Sequence, residues 1–419
     1  MSFLSPGRIL RPGDSGPQTL TAIGTVRMFP KNAHIALPLM PALLFVVCAF
    51  LLPILWFLSQ AANGRPVVSV IPATAEAIAG WDGVGLPQDD VFEALVRDLT
   101  EAEAADVASL ARELNFRQAG NRRLILQAAR DLEADPGGDA RARLEAINGA
   151  WANPEIWRVI RQSAQTVTTY NILESLDLEA GPDGGVSVKP VDDRLFLGVY
   201  ARTFTISLTV TVICVLLGYP LAYAVANAPA RTAAILMLLV LLPFWTSLLV
   251  RTLAWMVIFQ RQGILNGVLI DAGLISDGLQ FLRTRFAVIV SMTHIMLPFV
   301  VLPLISVMKK IPPNYMNAAE SLGAGRIRAL ASVYLPLTLP GLSAGVVLVM
   351  TLSLGFYVTP MLLGGGGDQM ISNLIATFVN RSLNWGLAAA LGLWLIVFAL
   401  AFIAVVGGTL SRKKWAVSQ

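Results

Sequence analysis

Acidic residues are nearly missing from the apolar parts of this sequence. Of its 27 Asp and Glu residues, 22 lie between positions 61 and 200 and 5 elsewhere, and none falls inside the six long hydrophobic runs set out below. A secondary transporter usually keeps carboxylates within the membrane to couple to an ion, and often shows paired repeats; neither feature is present. Nor can these runs hold a cation by a buried salt bridge. Cysteine is rarer still. Cys48 and Cys214 both lie in apolar runs, which excludes a disulfide framework and a cysteine-based metal site. His34 and His294 are the only histidines, giving little support to a triad or a metal cluster, and His294 reads as a packed polar residue rather than a gate. No Gly-x-x-x-x-Gly-Lys-Ser/Thr phosphate loop occurs, and the Gly364–Gly367 run is followed by Asp368, not by lysine. With no catalytic constellation, metal site or cofactor site of its own, the chain does not read as an enzyme.

What is present is apolar. The chain has 419 residues, 55% hydrophobic and 14% charged, with a mean hydropathy of +0.65, a composition suited to a lipid bilayer. A bilayer core of about 30 Å takes roughly 20 residues of helix. Runs of that length occur at Ala36 to Leu58, Thr203 to Ala226, Thr232 to Phe259 (with Arg251 inside), Phe286 to Met308, Leu337 to Leu363 and Trp385 to Leu410. They predict an all-α membrane protein with six transmembrane helices. Basic residues collect at every second connection: Arg8, Arg11, Arg27 and Lys31, then Arg231, then Lys309, Lys310, Arg326 and Arg328, then Arg412, Lys413 and Lys414. By the positive-inside rule both termini are cytoplasmic. The pI near 9.2 is therefore a signal of topology and not of a nucleic-acid partner. The first run is too long, and too far from the start, for a cleaved signal peptide.

Composition changes sharply after the first run. Between positions 61 and 200 there are 22 acids against 13 Lys and Arg, marking a small, mainly helical extracytoplasmic insert. Asp89 can cap a helix carrying Phe92, Leu95, Leu99, Val107, Leu110 and Leu114 at helical spacing. Further helices are expected over Arg122–Glu133, stopped at Asp135-Pro136-Gly137-Gly138, over Ala140–Ile147, and from Glu155 to about Leu176 with Trp157, Ile160, Val167 and Tyr170 to bury. A turn at 181–185 precedes a short strand or elbow over Val186–Leu197. The chain divides into a cytoplasmic tail (1–35), a first transmembrane helix (36–60), the insert (61–200), a five-helix membrane core (201–411) and a second tail (412–419). The insert either caps the outer mouth or offers an acidic surface to a solute-binding protein or a cationic solute.

The connection after the fourth run, Lys309 to Pro336, reads as helix, turn, helix. Pro312 and Pro313 set the start, Asn314 can cap, and Gly323 or Gly325 supplies a left-handed end. Ala318 and Ala319 leave one face nearly bare, beside an apolar stripe of Tyr315, Ala319 and Leu322. Asn317-Ala318-Ala319, Gly323, Val333 and Leu335-Pro336 stand at the spacing of the Glu-Ala-Ala signature. At these residues the chain resembles the inner-membrane subunits of binding-protein-dependent ABC importers, with Asn317 in place of the signature acid. The resemblance implies that Asn317, Ala318, Ala319, Glu320, Ser321, Gly323, Leu335 and Pro336 couple to a separate ATPase, with Glu320 a candidate substitute for the missing acid. It further implies an ATP-binding subunit dimer that carries the ATP and Mg, a second permease subunit that is a homologous different chain, a periplasmic solute-binding protein, and a place in the bacterial inner membrane.

A closer resemblance covers the last 220 residues. Pro243-Phe244-Trp245-Thr246-Ser247, Arg251-Thr252-Leu253-Ala254-Trp255, Ser353 to Pro360 and Asn384-Trp385-Gly386 are similar to the spermidine/putrescine permease group. This implies import of a polyamine, with an opine, an amino-acid derivative or another small organic solute as the alternative. Polar and aromatic residues inside spans tend to face a path or the protein interior. Trp245, Thr246, Ser247, Arg251, Trp255, Phe356, Tyr357 and Thr359 are the candidates for a translocation path. Each also has a packing reading: an interface belt for Trp, a helix-carbonyl bond for Thr, outward snorkelling for Arg251. Pro243, Pro298, Pro303, Pro340 and Pro360 are expected to kink or interrupt the spans.

Overall fold

The computed structural model describes residues 33–134, 137–180 and 185–417. The tails before residue 33 and after 417, the Asp135-Pro136 stop and the turn at 181–184 lie outside the described residues. Among the described residues the regular structure is helical apart from one antiparallel strand pair, Leu178–Ala180 with Val186–Val188, and an isolated bridge between Asn63 and Val167. Two compact units are present, residues 1–54 and 55–419.

In the first unit Ala33–Val46 runs into a π turn, Val47–Leu51, and on toward the helix Leu52–Ser59. The widened turn falls just before Pro53, which has no N–H to give to the preceding turn. The apolar side chains from Met40 onward are exposed. Met40–Ala62 is long and apolar enough to cross a membrane.

The second unit holds four further continuous candidate spans: Phe196–Asn227, Arg285–Met308, Arg326–Leu354 and Trp385–Gly408. Its centre is a three-helix contact among the second, fourth and fifth spans. Glycines set the separation. A Cβ on Gly345 would lie 3.0 Å from the Val300 Cα, one on Gly341 2.9 Å from the Pro303 carbonyl oxygen, and one on Gly218 3.1 Å from Val300 Cγ1. Lipid gives helices no hydrophobic reason to associate, so close backbone approach at small residues supplies the dispersion contact instead. Cys214, Met292, Val300, Val301, Leu304 and Val349 fill the space around these points.

Two of the six expected spans are not single straight helices. In the third run, Ala230–Leu241 tightens into a 3-10 turn at Leu242–Trp245, Thr246 is extended, and Leu248–Phe259 starts afresh. The two halves are bent by 99°. Pro243 withholds a donor, and the Ser247 hydroxyl accepts the Val250 N–H at 3.2 Å, so the backbone is better satisfied by a new cap than by a continued helix. The fifth run also divides. Leu335–Leu354 stops at Gly355 and Val358–Leu363 is a separate helix. Pro360 would clash with the Phe356 carbonyl in a continuous helix; that carbonyl instead accepts the Ser372 hydroxyl at 2.8 Å. The fifth span starts earlier than expected, through Arg326–Ala329 and a π turn at Leu330–Tyr334, and the last helix, Trp385–Val417, runs on through residues assigned to the tail.

The insert buries its own core of Phe92, Leu95, Leu110, Leu114, Ile125, Trp151, Trp157 and Ile160, with the Phe92 and Trp157 rings 4.4 Å apart. Asn121–Ala134 and Ala140–Ile147 form as the sequence indicates, the latter capped by Asp139. The stretch from Asp89 is two helices, Asp89–Glu101 and Ala104–Arg117, and Asp89 sits inside the first turn after Gln88 without a capping bond. The expected long helix from Glu155 ends at Ser163, and Tyr170–Glu174 is a separate turn. Val167, expected in the core, is 70% exposed. The cause is a backbone pairing across the domain. Gly64 donates to the Thr166 carbonyl and Thr168 to the Ala62 carbonyl, and no side chain fits at Gly64, where a Cβ would overlap the Gln165 carbonyl.

Two acids of the insert are structural. Asp98 is buried and accepts the Thr74 N–H and hydroxyl, both at 2.7 Å. Asp177, also buried, accepts the N–H groups of Leu195, Phe196 and Leu197, the open donors at the start of the second span. At the far end of that 32-residue helix, Tyr223 meets Tyr334 edge to face at 5.4 Å. A helix of that length spans about 48 Å, so the insert and the loop preceding Tyr334 lie at opposite ends of the bundle.

Asp98→Ala leaves buried donors unsatisfied and is expected to destabilise the insert by about 3 kcal/mol, read as earlier denaturant unfolding of the purified chain by tryptophan fluorescence. Gly345→Leu overfills the three-helix contact and is expected to lower the yield of folded protein in detergent several-fold, measured by size-exclusion chromatography; wild-type yield would contradict the close approach.

Candidate functional site: the loop between the fourth and fifth spans

The loop is built from short, well-terminated pieces. Asn314–Ser321 is an eight-residue helix. Its start differs from expectation: Pro313 occupies the capping position, and Asn314 is already helical and makes no capping bond. The carbonyls of Pro312 and Pro313 take the N–H groups of Tyr315, Met316 and Asn317, which suits proline's fixed φ at a helix start. The end is a Schellman motif. Gly323 has φ +85° and donates to Glu320, while Ala324 donates to Ala319. Gly325 is extended and opens the Arg326–Ala329 turn, so of the two glycines only Gly323 is left-handed.

One side of the loop is anchored and the other projects. Ile311, Met316 and Leu330 pack against the span core. Asn317, Ala318, Glu320 and Ser321 are exposed and Ala319 is partly covered. Leu322 and Ile327, on either side of the glycine turn, are 89% and 86% exposed. Burying one such side chain is worth roughly 1.5–3 kcal/mol, so the tip offers an apolar pair to a complementary groove. The stripe of Tyr315, Ala319 and Leu322 read from the sequence is present; Ile327 extends it and was missed because it follows the turn, where helical spacing no longer applies. Glu320 approaches Arg326 at 3.8 Å, an exposed pair of little energetic weight. Leu335 and Pro336 lie past the π turn, on the first turn of Leu335–Leu354, and set that helix start.

The residues expected to line a path divide into two groups. Thr252 and Thr359 are buried and share a hydroxyl bond of 3.2 Å, which joins Leu248–Phe259 to Val358–Leu363. Trp255 stacks on Phe259 at 5.0 Å and donates to His294 Nδ1 at 3.4 Å. His294 is exposed on the fourth span, and its ring meets the Trp255 ring edge-on at 5.6 Å. Phe356 packs partly on the core. Trp245 is 73% exposed, and Tyr357 also lies on the chain's outer surface. Ser247 caps a helix, and the Thr246 hydroxyl bonds the Pro243 carbonyl. The Arg251 Nε is enclosed without a hydrogen-bond partner among the described residues. Thr252 and His294 were missed as partners because their pairings cross 107 and 39 residues of chain.

A helical bundle of membrane-spanning length, interrupted in two places and bearing an exposed apolar loop tip at one end, is the architecture of a membrane transport subunit. Residues 215–413 match the family described as binding-protein-dependent transport system inner membrane component. The spermidine/putrescine transport system permease protein PotB of Haemophilus influenzae is 36% identical over 227 residues, which are 53% of this chain and 79% of that protein. PotB of Escherichia coli is 32% identical over 224 residues, 53% of this chain and 82% of that one. The chain belongs to this family and is the permease component of an ABC importer. A bacterial alginate ABC transporter solved with a pentasaccharide-bound periplasmic protein is similar at 20% identity and a TM-score of 0.42, over 52% of this chain and 78% of that one. The family match begins within the second span, so the insert lies outside it.

Gly323→Val forces a branched side chain into left-handed backbone at a cost of about 1 kcal/mol or more. It is expected to speed proteolytic cleavage between residues 309 and 330 while leaving the span core intact.

Proposed function

We propose that this chain carries a polyamine, spermidine or putrescine foremost, inward across the inner membrane as one of two homologous permease subunits. An ATP-binding subunit dimer binds ATP and Mg, and a periplasmic binding protein delivers the solute. The observation that carries the reading is the loop tip: Leu322 and Ile327 project on either side of the glycine turn that ends a helix whose Met316 face is anchored on the spans, as a lever seated in a motor protein requires. Asn317, Glu320 and Ser321 form the polar rim of that contact and Ala318 and Ala319 the bare face that permits close approach, with Glu320 taking the role of the acid that Asn317 lacks.

Orientation follows from this docking. With the loop in the cytoplasm, the insert at the opposite end of the second span is extracytoplasmic. Six crossings, counting the bent pair as one, return both termini to the cytoplasm, in agreement with the basic flanks. The solute class rests on the two PotB relatives above 30% identity. The spans contribute no Asp or Glu, so selection rests with the binding protein, and Trp245, Trp255, Phe356 and Tyr357 offer only weak aromatic contacts to a passing cation. That same absence of acids favours a second reading, an importer of another small organic solute.

Calorimetry of the cognate binding protein with spermidine, putrescine and a panel of amino-acid derivatives decides between the two; heat only from the last group would replace the polyamine reading. The joint change Leu322→Glu and Ile327→Glu is expected to release the ATPase and lower uptake in proteoliposomes more than tenfold. Glu320→Gln is expected to lower transport-coupled ATP hydrolysis several-fold, and an unchanged rate would remove that residue from the contact.

A further inference from the structure

We infer that the second span is a transmission rod, with Tyr219, Tyr223, Tyr334 and Thr338 at one end and Asp177 at the other as the positioning residues that carry loop movement to the insert. This rests on the reading that the loop receives the ATPase.

At the loop end the second and fifth spans are joined by two successive rungs. Tyr334 closes the π turn Leu330–Tyr334, is buried, and packs its ring against Tyr223. One turn further on, the buried Thr338 hydroxyl pairs with the Tyr219 hydroxyl at 3.0 Å and with the Leu335 carbonyl at 2.8 Å. Both pairs of residues are four apart, hence on one face of each helix. The Thr338 hydroxyl is buried and Tyr219 is half-buried, so each hydroxyl supplies the other with a hydrogen-bond partner that lipid does not offer. Leu330 and Met316 pack into the core beside these rungs, so displacement of the loop displaces Tyr334. The π turn between loop and span is a place where a helix can shift register without losing its ladder.

At the other end Asp177 belongs to the insert and holds the span with its side chain and the strand pair with its backbone. Its carboxylate accepts from Leu195, Phe196 and Leu197 at 3.0, 3.0 and 2.7 Å. Its carbonyl accepts from Lys189 at 2.9 Å, just after the strand Val186–Val188. The residue is left-handed, with φ 56°, a conformation that Asp tolerates better than most side chains and that aims the carboxylate along the helix axis, toward the positive end of the helix dipole. Between the two ends runs a single helix, Phe196–Asn227, whose one internal proline, Pro220, lies at the loop end between Tyr219 and Tyr223 and leaves the stretch from Phe196 to Tyr219 free of proline.

The test uses the complete transporter, with its ATPase, partner permease and binding protein, in proteoliposomes. Tyr219→Phe and Thr338→Val each remove one hydroxyl rung, and Asp177→Asn weakens the other end. Each is expected to lower solute moved per ATP hydrolysed at least fivefold with basal hydrolysis retained, and the Tyr219→Phe, Thr338→Val double variant is expected to be no worse than either single one. Hydrogen exchange over residues 176–189 is expected to change when ATP is added to the wild type and not in Tyr219→Phe. Crosslinking from Ser321→Cys to the ATPase separates the two ideas. Loss of the crosslink in the wild-type background overturns the docking reading; an intact crosslink with an unchanged transport ratio, or with the same exchange response in wild type and Tyr219→Phe, overturns the rod. Should a variant fail to assemble, the wild-type exchange response decides alone, and its absence sinks the proposal.

Discussion

Backbone polar groups have no water to turn to inside a bilayer, and each one left unpaired there costs several kcal/mol. The two interruptions of this bundle are shaped by that constraint. At Thr246 the chain leaves the helix, yet the Ser247 hydroxyl supplies a cap and the Thr246 hydroxyl covers the Pro243 carbonyl. At Gly355 the Phe356 carbonyl, freed by Pro360, is taken by Ser372. The hydroxyl pair Thr252 and Thr359 then ties the segment following one break to the segment following the other. Interruptions satisfied in this way permit short helices to change angle without exposing unpaired backbone, which is what a subunit with two access states needs.

The rigid part of the molecule has a different basis. Gly218, Gly341 and Gly345 let the second, fourth and fifth spans touch backbone to side chain, with no Asp, Glu, Lys or Arg among the residues that fill that contact. Ion pairs lie at the ends. Asp177 closes the second span from the insert, Arg285 and Asp368 pair at 3.0 Å beside the start of the fourth, and Lys189 holds Glu174 at 2.6 Å at the foot of the insert. A buried carboxylate stripped of its N–H partners is costly, so Asp177 fixes where the insert ends and the span begins more firmly than apolar packing alone would.

Much of the function was legible locally. The motif from Asn317 to Pro336 could be read because its spacing reflects a helix, a left-handed glycine and a second helix, all set by neighbouring residues. Gly323 behaves as that reading requires. Asn314 does not, because two prolines had already fixed the start of the helix. The path residues were less legible. Whether a polar side chain in a span packs, caps or faces a partner depends on residues dozens of positions away, as Thr252 with Thr359 and Trp255 with His294 show.

By itself the sequence determined that this is a helical membrane protein with an acid-rich insert and one exposed loop of defined shape. Length of apolar runs, charge segregation and glycine placement are properties of short segments, and the bilayer converts them directly into structure. Only the tertiary structure decided where helices end against the hydrophobic pattern. The helix after Glu155 yields to a backbone pairing with residues 62–64, the third run bends by 99°, and Asp177 caps a helix that begins 19 residues later. At residues 62–64 and at Asp177 a distant partner satisfies the same N–H or carbonyl groups better than the next turn of helix would, whereas at the bend neighbouring hydroxyls do so, and the outcome of that competition is set by geometry that the hydrophobic pattern does not carry.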